Sequence, residues 1–137
     1  MNNYLKAEFD AKSINESISR VIASGFIMPL DPTLEQMADV KTAVSEAVTN
    51  AIIHGYESGM GKVIMELELN DRLLTVKVSD SGKGIENIEK ARQPLYTSKP
   101  ECDRSGMGFT VMESFMDSLH IESRVNVGTT VTMTKAL

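Results

Sequence analysis

Apolar residues recur along this chain with two different periods, and the switches between them outline the elements. Residues 4–9 alternate apolar and polar side chains and predict a first strand. Ser13-Ile14-Asn15-Glu16 has the capping-box pattern, and Ile14, Ile18, Val21, Ile22 and Phe26 continue it as a helix. Asp31-Pro32 predicts the start of a second helix, with Asp as N-cap and Pro in the first turn. Leu34, Met37, Val40, Val44, Val48, Ala51 and Ile52 give that helix a core face, and Gly55 stops it before a loop at 57–61. Residues 63–69 and 73–78 predict two strands of a hairpin around Asn70-Asp71. Residues 80–105 follow as a long loop, a length that in a small domain suits a lid. Residues 106–117 predict a third long helix with Phe109, Met112, Phe115 and Met116 on its apolar face. A last hairpin, 119–123 with 130–134, turns at 126–128. The sum is an α/β two-layer sandwich, a mixed and mostly antiparallel sheet with three main helices on one face, in one domain spanning 1–137.

Composition narrows the function classes. The 137 residues suffice for one domain with a core. A net charge of −5 argues against a nucleic-acid footprint, which is basic. The lone Cys102 excludes an internal disulfide and fits a reducing cytosol. The first residues lack the apolar core of a secretory signal, and no run nears the roughly 18 apolar residues of a membrane span. A cytoplasmic protein without membrane or direct nucleic-acid contact is expected.

The chemistry gathers at the end of the second helix. Glu46 and Asn50 are four apart, so they stack on one helical face, on a stretch otherwise built of Ala, Val and Ile. Asn offers a neutral oxygen that suits Mg²⁺, and Glu, ionised near neutral pH, suits a general base. The bland alternative is a solvated stripe. Asp80-Ser81-Gly82-Lys83-Gly84 ends a strand; its aspartate can accept from an exocyclic amine such as adenine's, and its glycines let backbone approach a ligand, although a polar turn has the same composition. Gly106-Met107-Gly108 opens a helix whose free N–H groups favour phosphate, or is simply a cap. Gly128-Thr129-Thr130 brings hydroxyls near Asp80 if the two strands are neighbours; otherwise it is a hairpin glycine followed by strand formers. His54 shares the stripe with Asn50 and reads as a structural histidine. Arg20 reads as a solvated charge, and Arg104 as the better candidate for sensing γ-phosphate charge.

In this order, these segments resemble the GHKL (Bergerat-fold) ATPase and kinase superfamily: Glu46…Asn50 its N box, Asp80-x-Gly82-x-Gly84 and Gly106-x-Gly108 its two glycine boxes, and Gly128-Thr129-Thr130 its final threonine segment. Residues 45–55 and 91–101, followed by Arg104-Ser105-Gly106-Met107-Gly108-Phe109, further resemble the anti-sigma F factors of spore-forming bacteria, the SpoIIAB family, over essentially the whole chain. That resemblance implies the Bergerat ATP-binding fold and a homodimeric serine protein kinase that uses ATP and Mg²⁺ and whose ADP form tends to hold the anti-anti-sigma partner. It implies two partners, a sporulation sigma factor F held inactive in the ATP state and an anti-anti-sigma factor, SpoIIAA, phosphorylated on serine. Carried onto this chain, Glu46 is the catalytic base and Asn50 the Mg²⁺ ligand. Asp80 reads adenine with Gly82 and Gly84 beside it, Gly106 and Gly108 cradle phosphates, and Thr129 and Thr130 complete the nucleotide site. Thr97, Ser98, Lys99 and Arg104 lie in the lid, and Arg20 contacts the partners. The alternatives are an RsbW-like stress-response kinase, a non-catalytic ATP-dependent binding module, for which a retained Glu46 has no use, and a histidine-kinase catalytic domain, for which neither histidine sits in a phosphoacceptor hairpin.

Overall fold

The computed structural model describes residues 1–56, 60–93 and 108–137. Five strands form one sheet among them: β1 (Asn2–Asp10), β2 (Lys62–Asn70), β3 (Leu73–Asp80), β4 (Ser118–Arg124) and β5 (Gly128–Ala136), in the order β1-β2-β3-β5-β4. Each pairing is antiparallel, so the predicted mixture resolves to an antiparallel sheet throughout these strands. The register follows the period of two. Val63, Met65, Leu67 and Leu69 on β2, Leu74, Val76 and Val78 on β3, and Val131 and Met133 on β5 are all buried. Tyr4, Glu68, Lys77, His120 and Glu122 alternate with such positions and are exposed. One face of the sheet is therefore core and the other is solvated.

Helices cover the apolar face. They are α1 (Glu16–Ile27), α2 (Leu34–Asn50), the short α3 (Ile88–Ala91) and α4 (Gly108–Phe115), with α2 packed between α1 and α4. Val40, Ala43, Val44, Ala47 and Val48 bury the inner stripe of α2. Burying a Val or Leu fully contributes about 1.5–3 kcal/mol, so these side chains and those of the sheet hold the two layers together. No helix among the described residues is long and apolar enough to cross a membrane.

The structure moves both predicted helix starts. Thr33, not Asp31, caps α2: its hydroxyl accepts the N–H of Gln36 at 3.0 Å while the Gln36 side chain accepts the N–H of Thr33 at 3.0 Å. Asp31 instead takes a left-handed conformation (φ 51°) at the end of the preceding 3₁₀ turn. At α1 the predicted capping box does not form. Ser13–Asn15 is a turn of 3₁₀ helix, and the Asn15 side chain donates to the Asp10 carbonyl at 2.8 Å, tying the helix entrance to the end of β1.

The apolar face of α1 is also rotated from the predicted one. Ser19, Ala23, Phe26 and Ile27 face the core, whereas Ile14, Ile18 and Val21 are 78%, 47% and 64% exposed. Leu34 and Phe115, predicted as core, are likewise exposed, at 91% and 38%.

Candidate functional site

A cavity of about 560 Å³ opens between the end of α2, the paired ends of β3 and β5, and α3. That volume lies within the usual range for small-molecule sites. Asn50, Asp80, Gly84, Gly108 and Thr129 line it, five of the positions picked out by the sequence.

At one end of the cavity the start of α4 meets the polar stripe of α2. A Cβ on Gly108 would lie 3.0 Å from Asn50 Nδ2, 3.2 Å from its Oδ1 and 3.3 Å from Glu46 Oε2. The first residue of α4 thus comes into contact with both members of the Glu46–Asn50 pair. The leading N–H groups of a helix carry partial positive charge, so this end suits the anionic part of a ligand.

At the other end stands Asp80, held by backbone. It receives the N–H of Gly82 on Oδ1 at 2.9 Å. Burial pushes its carboxyl above the usual carboxylate range, against the lowering effect of the Gly82 and Thr129 N–H groups. Gly55 lies under it. The sequence reads Gly55 as a helix stop, but a Cβ there would sit 2.8 Å from the Asp80 carboxyl carbon. A Cβ on Gly82 would in turn lie 1.8 Å from the Gly55 carbonyl oxygen, which accepts the N–H of Lys83 at 2.9 Å. Between Asn50 and Gly55 the helix widens into a π-helical turn, Ala51–Gly55. Such turns recur at functional sites. Here it delivers the Gly55 carbonyl to the loop that carries Asp80.

Tyr56, which the sequence analysis passes over, braces the same loop. Its hydroxyl accepts the N–H of Ser81 at 2.7 Å and donates to the carbonyl of Lys62 at 2.6 Å. Gly61 gives its ring room, since a Cβ there would lie 2.3 Å from Tyr56 Cε1. The signal that points to Tyr56 is a tyrosine directly after a site glycine, with a second glycine-rich loop following it. His54, read as structural, lines the cavity, as do Asn87, Lys90 and Asn126.

The remaining predicted residues divide. Gly84 (φ 77°) and Gly128 (φ 141°) have conformations that favour glycine, and each lies against backbone: a Cβ would sit 2.2 Å from the Arg124 carbonyl oxygen and 2.1 Å from that of Asp80, respectively. Thr129 pairs with Asp80 across the strands and is buried. Thr130 does not join them. Neighbouring strand residues point to opposite faces, and its hydroxyl donates to Ser79 Oγ at 3.2 Å on the far side of the sheet. Arg20 is half-exposed: 43% of its side chain is open, while its Nε is buried and lies 3.0 Å from Glu16 Oε1. Thr97, Ser98, Lys99, Arg104 and Gly106 lie outside the described residues.

The donor set fits Mg²⁺ in one specific way. Asn50 offers one neutral oxygen, and no group of three or more His, Cys, Asp or Glu side chains among the described residues forms a metal cage. Mg²⁺ keeps several waters and takes few protein ligands when it is shared with phosphates, so Asn50 suits a metal that arrives with a nucleotide.

A profile of the histidine kinase-like ATPase domain family matches residues 17–135. The chain is 58% identical over 138 residues to a Clostridium perfringens anti-sigma F factor, covering all of this chain and 99% of that protein. It is 60% identical over 134 residues to the anti-sigma F factor of Clostridium kluyveri, covering 98% and 94%. With that of Bacillus licheniformis the identity is 53% over 138 residues, covering 100% and 94%. Among solved structures, the RsbU and RsbW domains of a Mycobacterium tuberculosis protein superpose with a TM-score of 0.71 at 21% identity, over 98% of this chain and 32% of that longer one. The catalytic domain of the histidine kinase ThkA gives 0.58 at 17% identity, over 96% and 97%. These two likenesses establish the shared fold.

Proposed function

Since the chain belongs to the histidine kinase-like ATPase family and, within it, to the anti-sigma F factors, we propose that it is a protein serine kinase that uses Mg-ATP. In this reading it holds sigma factor F inactive and phosphorylates a serine of the anti-anti-sigma factor SpoIIAA. The observation that carries the proposal is the cavity with two unlike ends: a half-buried acceptor at Asp80, and a helix start abutting a carboxylate and a carboxamide at Gly108, Glu46 and Asn50.

Asp80 accepts from the adenine amine, and its loop is pinned by Gly55, Gly82 and Tyr56 so that the base cannot slide. Gly108 brings backbone N–H groups to the phosphates, with Gly106 preceding it. Asn50 holds the metal, which when bound neutralises developing phosphate charge. Glu46 accepts the proton of the partner's serine hydroxyl. Phosphoryl transfer needs alignment and charge neutralisation more than covalent help, and this arrangement supplies both. Thr97, Ser98, Lys99 and Arg104 belong to the lid in this reading, with Arg104 against the γ-phosphate. Gly84 and Thr129 shape the cavity wall, and Thr130 is released from the nucleotide set.

The partner surface is proposed on α1. Arg20 keeps 43% of its side chain exposed, and the uncovered Ile18 and Val21 lie on the same helix, with Ile14 in the turn before it. An exposed apolar stripe and a half-exposed arginine on another flank of the same helix offer two kinds of contact to a protein partner, a second copy of this chain included. Incubation with labelled Mg-ATP and both partner proteins tests the activity: label is expected on a serine of the anti-anti-sigma factor. Label on a histidine would overturn the reading.

A further inference from the structure

We infer that Glu16 is a positioning residue, one that sets the orientation of Arg20 and fixes it to the helix that carries Glu46. The inference rests on the reading of Arg20 as a partner contact and adds to it a residue and a coupling. Glu16 and Arg20 are one turn apart on α1, in the favourable order with the acid first. A pair of this kind on an exposed helix is ordinarily worth a few tenths of a kcal/mol. Three observations set this one apart.

The first is that the carboxylate is mostly covered, its side chain 20% exposed. The second is that both oxygens address the same guanidinium. Arg20 Nη2 donates to Oε2 at 3.2 Å, and Nε, buried and without a hydrogen-bond partner among the described residues, lies 3.0 Å from Oε1 as an ion contact. One hydrogen bond and one ion contact to the same carboxylate restrict where the guanidinium can sit. The third is that Oε1 also accepts a hydrogen bond from the Ser45 hydroxyl on α2. Ser45 directly precedes Glu46, so one carboxylate joins the proposed docking residue on α1 to the helix that bears the proposed base.

The consequence is preorganisation. A free arginine has many rotamers, and ordering a long side chain on association costs about 0.5–1.5 kcal/mol. Glu16 meets that cost before a partner arrives. A simple helix-stabilising pair would not need Ser45, and it would act on stability rather than on partner binding.

A double-mutant cycle tests this on the full chain, with purified sigma factor F as the titrant in Mg-ATP. Glu16→Ala is expected to weaken binding by roughly three- to tenfold, while ATP affinity and the thermal midpoint stay near wild type. Arg20→Ala is expected to weaken binding further, and Glu16→Ala added to it should change nothing more. Ser45→Ala, which leaves Glu16 and Arg20 in place, should give part of the Glu16→Ala effect. A second readout follows the Arg20 Nε–H resonance by NMR, which is expected to shift and to exchange faster in Glu16→Ala. An unchanged resonance removes the clamp itself, and full additivity of the two substitutions removes its action through Arg20. A shifted resonance together with wild-type binding by Arg20→Ala identifies the docking reading as the part that failed, and the positioning role fails with it.

Discussion

The two ends of the cavity are built from different materials. The Asp80 end is made of backbone at close quarters: Gly82 against the Gly55 carbonyl, Gly128 against the Asp80 carbonyl, Gly55 under the carboxyl itself. The Glu46–Asn50 end is made of side chains on a regular helix, with contacts to a Gly108 Cβ position of 3.0–3.3 Å. The first end tolerates no added atom. The second is tight too, but its neighbours are side-chain ends that can give by a few tenths of an ångström, and it depends on chemical identity. Substitutions at the two ends should therefore fail in different ways, the first by losing the site and the second by losing the reaction.

Glu46→Gln is the largest expected effect on rate. Removing a general base costs typically two to four orders of magnitude, and ATP binding should persist because the amide keeps the shape of the site. Transfer at the wild-type rate in a single-turnover phosphorylation assay would falsify the base assignment. Gly82→Ala is next. Its Cβ cannot coexist with the Gly55 carbonyl, so the loop must move, and a loss of about 2 kcal/mol or more in stability is expected together with loss of ATP binding. Chemical denaturation and a nucleotide titration measure the two, and normal values for both would mean that the close approach does not exist in solution.

Asp80→Asn should separate stability from binding. The folded protein raises the Asp80 pKa by burial, so the native state holds this proton more tightly than the unfolded chain does. The penalty for burying the charge therefore grows as pH rises from the ordinary carboxylate range through the raised native value, and is full above it. Asp80→Asn should melt higher than wild type above that window and the same as wild type below it. Its ATP affinity should fall roughly tenfold, the difference between a charge-assisted and a neutral hydrogen bond. Equal melting curves from acid to neutral pH would refute the burial argument. Tyr56→Phe is the smallest effect, about 1 kcal/mol, because the ring stays and only the hydroxyl's two bonds to Ser81 and Lys62 are lost. A calorimetric titration should show weaker ATP binding with an unchanged rate at saturation, and an altered saturated rate with normal affinity would contradict the bracing role.

The same division explains what could be read in advance. The elements were legible because burial on one face imposes a period, and the sheet and α2 follow theirs closely. The Glu46–Asn50 pair was legible because four residues on a helix always stack. The apolar stripe of α1 was not, since a period shows that a stripe exists but not what covers it; Ile14, Ile18 and Val21 have the spacing of core residues and none of the cover. Thr129 and Thr130 read as one motif along the chain, yet strand alternation puts them on opposite faces of the sheet. Thr33 was hidden by a more conspicuous Asp-Pro two residues earlier. Gly55 reads as a helix stop and Tyr56 goes unread because the contacts that tie them to the Asp80 loop, with Asp80, Ser81, Gly82 and Lys83, span 25 or more positions.

If Asp80 reads the base as proposed, its half-buried carboxyl bears on which purine the site accepts. An ionised carboxylate only accepts hydrogen bonds, so it favours the amine of adenine and repels the carbonyl oxygen that guanine presents at the equivalent position. Once protonated, the same group donates, and the preference weakens or reverses. Because the native fold shifts that protonation upward, the selectivity between adenine and guanine nucleotides becomes a function of pH that should erode at a higher pH than an exposed aspartate would allow.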